Sequence, residues 1–262
     1  MAKDLTKGNP ASVLFRFALP VIGGNLFQLF YTLADSVIVG RMLGAQALAA
    51  VGSTSIIIYL VLCFIQGITG GFGICLGQRF GARDEAAMRR SVMISWLLSA
   101  FFTVLLTAVC CALAHPILRW MQTPDDIYQD AYAYMWVILA GTGATVFYNA
   151  ISNMLRALGD SRTPLIFLVV SSLGNIALDI LFIGPMEMGV AGAAWATVLS
   201  QLIAAILSAA VGVKNYAVLR PSRLARRDVL PETAAHLRLG FPMGFQMSVM
   251  CIGQLAMQAA VN

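Results

Sequence analysis

Two aspartates are the residues of this chain hardest to explain as packing. Asp179 lies in the apolar run SSLGNIALDILFIG, residues 171–184, and Asp35 in LFQLFYTLADSVIVG, residues 26–40. Neither run contains a lysine or arginine, and the basic residues nearest to Asp179 in sequence are Arg162 and Lys214. A charge at the centre of a membrane helix costs roughly 2.5–3.5 kcal/mol on insertion scales. An ionisable side chain there without a basic mate must be protonated, hydrated or bound to a cation, and one that alternates among these states is a coupling site. Helical spacing adds partners. Asn175 precedes Asp179 by one turn, so the two share a face. Thr197 and Gln201 are related in the same way, and Asn25, Gln28, Thr32 and Asp35 fall within about 80° of one another on a helical wheel.

The elements that must hold these groups follow from composition. Of the 262 residues 59% are hydrophobic and 11% charged, and mean hydropathy is +0.81. A soluble domain is about 45–50% apolar, so these values describe a polytopic membrane protein. A hydrocarbon core needs about 20 apolar residues per helix. Runs of that kind occur near 13–38, 47–77, 92–114, 131–155, 164–184, 190–212 and 240–262.

Charge orients the spans. With the N-terminus inside, 15 of the 17 lysines and arginines fall in inside segments, and only Arg41 and Arg119 lie outside. That asymmetry is the positive-inside signature, and it accounts for the net charge of +5 without any nucleic acid. In this frame Asp35 and Asp179 both sit roughly 8–9 Å in from the outer helix ends and Thr197 roughly 12 Å, at 1.5 Å per residue. Three polar groups on three helices therefore share one outer-half layer.

Other polar residues have a plainer reading. Gln28, Thr32, Gln201 and the Asn149/Asn153 pair are candidate cavity-lining residues, but such side chains more often serve as interhelical hydrogen-bond glue. The glycines of QGITGGFGICLGQRFGA, Gly67 to Gly77 among them, read first as sites of close helix packing. Pro20 removes a backbone hydrogen bond from the first span and permits a kink there, on the helix that carries Asp35. Cys63, Cys75, Cys110, Cys111 and Cys251 all lie in apolar segments without metal-ligand spacing and read as packing residues.

The segment LFRFALPV at 14–21 resembles HLRLGFPM at 236–243, with Arg16 over Arg238 and Pro20 over Pro242. Parallel repeats of this sort occur in transporters. A second copy that has only begun by Asn262 gives the expectation that the chain is truncated.

Together the motifs resemble one family. LPVIGGNLFQLFYTLADSVIVGRMLGAQALAAVG is similar to the first span and following loop of the multidrug and toxic compound extrusion (MATE) transporters. GQRFGARDEAAMRRS resembles their loop after the second span, NMLRALGDSRTPL that after the fourth, and NIALDILFI and GVAGAAWATVLSQ their fifth and sixth spans. The resemblance implies an all-α integral membrane fold of the MOP superfamily: a six-helix N-lobe bundle, residues 1–212, a cytoplasmic inter-lobe linker, 213–239, and the start of a seventh helix, 240–262, opening the C-lobe. It also implies drug-like cations exported against Na⁺ or H⁺ by alternating access, and a monomeric full-length parent in the bacterial inner membrane, N-terminus cytoplasmic. Small organic molecules and the bilayer are the implied partners, with no enzyme activity and no cofactor beyond the coupling ion. The family's cation site maps onto Asp35, Asn175, Asp179 and Thr197, which would be the Na⁺ ligands in a sodium-coupled member, and its kink proline onto Pro20.

Two other readings compete. A lipid-linked saccharide flippase of the same superfamily would want basic residues inside the spans to hold a pyrophosphate, and the apolar runs contain none in their interiors. An intramembrane aspartyl protease could use Asp35 and Asp179 as a dyad, but its Gly-x-Gly-Asp signature is missing from the spans. No P-loop appears, and His115 and His236 are far apart at span edges.

Overall fold

The structure, a computed structural model, describes residues 10–221 and 224–261. Among the described residues eight helices follow one another: α1 (Pro10–Leu43), α2 (Ala45–Gly81), α3 (Glu85–Trp120), α4 (Tyr128–Ala140), α5 (Thr142–Ala157), α6 (Arg162–Ile183), α7 (Gly189–Asn215) and α8 (Arg226–Val261), with a 3-10 turn at Ala217–Leu219 before the last. The breaks have local causes. Gly44 turns the chain between α1 and α2 with φ +89°, and Gly159 does so between α5 and α6 with φ +83°; both conformations suit a residue without Cβ. Asp84 starts α3 by accepting a hydrogen bond from the Ala87 amide at 2.9 Å.

Among the described residues five helices (α1, α2, α3, α6 and α7) are long and apolar enough to cross a membrane. The expected fourth span is not one helix: α4 and α5 make it together, bent by 42° at Gly141. A Cβ at Gly141 would lie 2.2 Å from Val198 on α7, so the break lets the chain pass close beneath that helix. The protein is thus an all-α, multi-pass membrane bundle. Its last helix begins at Arg226, so part of the stretch expected as linker is helical and packed.

The large outward side chains are apolar: Leu14, Phe15, Phe30 and Val104 are each at least 66% exposed, which suits lipid and not water. Inside, small and branched residues interlock. Val39, Ala47, Leu118, Met135 and Ala193 fill one half of the bundle, and Leu76, Val92, Ile151, Leu155 and Leu219 the other. The helix pairs that position the polar residues are α1 against α6 and α6 against α7.

Candidate functional site

Asp35 projects from α1 and Asp179 from α6, and their carboxyl groups are neighbours that interact directly. Asp179 is wholly buried and Asn175, one turn earlier, is 1% exposed. The Asn175 amide donates to the Thr197 hydroxyl on α7 at 3.4 Å. Three helices that meet side by side therefore bring together the four residues expected to form one site. Asp35 Oδ1, both Asp179 carboxyl oxygens and the Asn175 amide oxygen are buried and receive no hydrogen bond from a donor among the described residues. Like charges this close cannot both persist without compensation. The chemistry suited to such a pair is a shared proton or a small hard cation, for which carboxylate, amide and hydroxyl oxygens are suitable ligands. Among the described residues there is no group of three or more His, Cys, Asp or Glu side chains of the kind that holds a transition metal.

A second layer lies outside the sequence expectation. Tyr31, one turn before Asp35, lies beside Gln201 on α7, and Gln201 Oε1 accepts from the Thr145 hydroxyl on α5 at 2.5 Å. Tyr134 on α4 is buried within electrostatic reach of Asp35, Asp179 and Tyr31. The signal for Tyr31 was its spacing of four from Asp35. For Tyr134 there was none.

The remaining candidates separate. Gln28 and Thr32 are exposed and do not join the carboxyl pair; the Thr32 hydroxyl donates back to the Gln28 carbonyl at 2.9 Å. Asn149 likewise donates to the Thr145 carbonyl of its own helix. Asn153 ties α5 to α2 by donating to the Thr69 hydroxyl at 3.1 Å. With Arg156, Gly70 and Gly73 it lines a cleft of about 220 Å³. α1 continues as helix through Pro20.

Residues 20–181 match the MatE family model. The chain is 35% identical over 261 residues to "Probable multidrug resistance protein YpnP" of Bacillus subtilis, covering all of this chain and 58% of that protein. It is 30% identical over 251 residues to "Probable multidrug resistance protein NorM" of Thermotoga maritima, covering 92% of this chain and 53% of the relative. Among solved structures, one described as the outward-facing conformation of a multidrug resistance MATE family transporter of the MOP superfamily superposes with a TM-score of 0.84 at 28% identity, over 95% of this chain and 55% of that one. The chain therefore spans little more than half the length of the relatives it matches.

Proposed function

Since the chain belongs to the MatE family, we propose that it is the first lobe of a secondary antiporter that exports cationic or drug-like organic compounds in exchange for Na⁺ or H⁺. One observation carries the reading: the Asp35 and Asp179 carboxyls meet inside the bundle, and among the described residues no basic side chain bonds to either. In this reading residues 1–212 form the lobe, 213–239 link it to the second lobe, and 240–262 open that second lobe. The 15-to-2 distribution of basic residues supports a cytoplasmic N-terminus in a bacterial inner membrane.

The cycle uses the site as an ion trap. A cation from outside settles between Asp35 and Asp179, with the Asn175 and Thr197 oxygens as further ligands when the ion is Na⁺. When the ion is H⁺, the two carboxyls share it. Neutralisation removes the repulsion between them and changes how α1 packs on α6. Pro20, which leaves one backbone bond of α1 unmade, is where that helix yields. Substrate leaves outward, and the returned transporter sheds its ion inward and reloads. Exchange requires that ion and drug favour opposite states or compete for one, because a ligand shifts a conformational equilibrium only by its differential affinity. Apart from proton uptake and release, none of these steps makes or breaks a covalent bond, consistent with relatives named as multidrug resistance proteins.

The test is efflux of a cationic dye from vesicles holding the full-length parent, with sodium and pH gradients imposed separately. Asp35→Asn and Asp179→Asn should each abolish gradient-driven efflux. Flipping of a lipid-linked saccharide without dye movement would replace this reading with the flippase.

A further inference from the structure

The start of α8 is fastened to the bundle by one acid. Glu232 is 9% exposed and carries an ion pair with Arg79 of α2 through Oε2 and a hydrogen bond from Arg90 Nε of α3 to Oε1 at 3.3 Å. One turn on, His236 is wholly buried. Its Nδ1 lies 2.7 Å from the Glu232 carbonyl oxygen and its Nε2 2.8 Å from Ser91 Oγ on α3. A carbonyl only accepts, so Nδ1 carries the hydrogen and Nε2 accepts from the serine. Glu232 and His236 thus pin α8 to two helices at once.

Beyond that point the contact between α2 and α8 changes character. A Cβ on Gly71 would lie 2.4 Å from Gly240 Cα, and one on Gly67 would lie 2.7 Å from Gly244 Cα. The spacing of four on both helices makes a reciprocal pair of small-residue crossings, with backbone against backbone. Cys75, between the crossing and the ion pair, donates its thiol hydrogen to the Ala235 carbonyl of α8 at 3.5 Å and is 5% exposed. The antiparallel register then runs on to Tyr59, whose hydroxyl donates to Gln254 Oε1 at 3.2 Å.

These two kinds of contact differ in how they can be undone. The glycine crossing has no polar group to titrate, hydrate or exchange, and it exists only while α8 lies flat on α2. The ion pair is reversible, and Arg90 is 37% exposed, so water reaches it. Among the described residues no disulfide ties α8 to the bundle.

We propose that Glu232, clasped by Arg79 and Arg90, is a latch that holds α8 closed on α2 and α3 at the charged end of the bundle, and that its release opens the seam over Cys75. This rests on the alternating-access reading of the protein, which requires the two lobes to part at that end in one state. The latch places the control of that parting on the first segment after the lobe.

Cys75 is a built-in reporter. The full-length parent is placed in lipid nanodiscs with Cys75 as its only cysteine, and the rate of modification by a charged methanethiosulfonate is measured. Glu232→Gln and the double variant Arg79→Gln/Arg90→Gln should each raise that rate at least tenfold. Arg89→Gln, a neighbouring charge that makes none of these contacts, should leave it unchanged. The same substitutions in a parent with Cys251 alone, a thiol buried farther along α8, should leave that site protected. An unchanged Cys75 rate in both latch variants overturns the proposal. So does an equal rise at Cys251, which would make Glu232 a general prop of the fold. The assay imposes no gradient and reads no transport, so its failure and a failure of dye efflux are separate results.

Discussion

The carboxyl groups of Asp35 on α1 and Asp179 on α6 interact directly inside the bundle, and among the described residues no basic side chain bonds to either. Two acids in contact inside a membrane bundle are unstable as a pair of anions. Their persistence fits a site that trades a proton or a cation with solution.

Neutralising either acid should therefore separate stability from activity. Asp179→Asn keeps the shape of the side chain and removes the need for an ion. In sodium-free buffer near neutral pH the full-length variant is expected to be more stable than the parent by about 1–3 kcal/mol, since a buried group no longer needs compensation. Gradient-driven efflux is expected to vanish. Thermal unfolding in detergent, read beside vesicle efflux, checks both; a variant that loses activity and stability together would mark Asp179 as structural.

The glycine crossing makes a local contrast. Gly71→Ala places a methyl group 2.4 Å from Gly240 Cα, whereas at Gly70 the nearest atom is a flexible Met243 methyl at 3.9 Å. Overpacking of this kind costs about 1–3 kcal/mol. Gly71→Ala is expected to lower the unfolding midpoint clearly and Gly70→Ala to leave it within about 0.5 kcal/mol of the parent. Equal effects would mean that α8 does not lie on α2 in this register.

Asp160 carries a pH signature outside the spans. Burial alone would raise its carboxyl, but hydrogen bonds from the Thr163 hydroxyl at 2.6 Å, the Thr163 amide at 3.0 Å, the Tyr216 hydroxyl at 2.9 Å and the Arg162 amide at 3.1 Å outweigh it and hold the group below the usual carboxylate range. The partner responds in the opposite sense: burial and the Asp160 carboxylate push the Tyr216 phenol up to about 12. A carboxyl depressed in the folded state contributes stability above its ordinary value and loses it as pH falls through the lower folded value. Asp160→Ala should cost about 1–2 kcal/mol at neutral pH, as loss of a helix-start acceptor does. The gap to the parent should close as pH falls through the acid range, measured by denaturation at a series of pH values; a gap that stays constant would show that the ionised carboxylate is not what holds the loop.

Pro20 bears on motion. α1 is continuous through it, yet its ring leaves one backbone carbonyl unbonded and makes that turn the easiest to bend. Pro20→Ala restores the bond and stiffens the helix. Efflux is expected to fall severalfold while substrate binding to the purified full-length variant persists; unchanged efflux and coupling would remove bending at Pro20 from the cycle.

Much of this was legible in the sequence because a bilayer imposes few choices. Apolar runs had to be helices, and intramembrane Asp35, Asn175, Asp179 and Thr197 could be grouped by depth and helical face before any fold was known. The bend at Gly141 was not legible, since apolar composition continues straight through 131–155 and only the approach of Val198 reveals it. Gln28 and Thr32 were candidate cavity-lining or glue residues by helical angle, and angle alone could not show that both stand exposed on α1, apart from the carboxyl pair. The helical start of α8 was hidden because 226–239 is polar, and its order comes from Glu232 and His236 reaching side chains far away in sequence.

The central claim is that the Asp35–Asp179 pair is where the driving ion acts. It is tested most directly by measuring sodium and proton uptake together with dye movement in vesicles holding the full-length parent, beside the Asp35→Asn/Asp179→Asn double variant. The account expects one of the two ions to move in the opposite direction to the dye in the parent, and expects both fluxes to be lost in the variant. Ion-coupled dye transport that survives the loss of both carboxyls would contradict it.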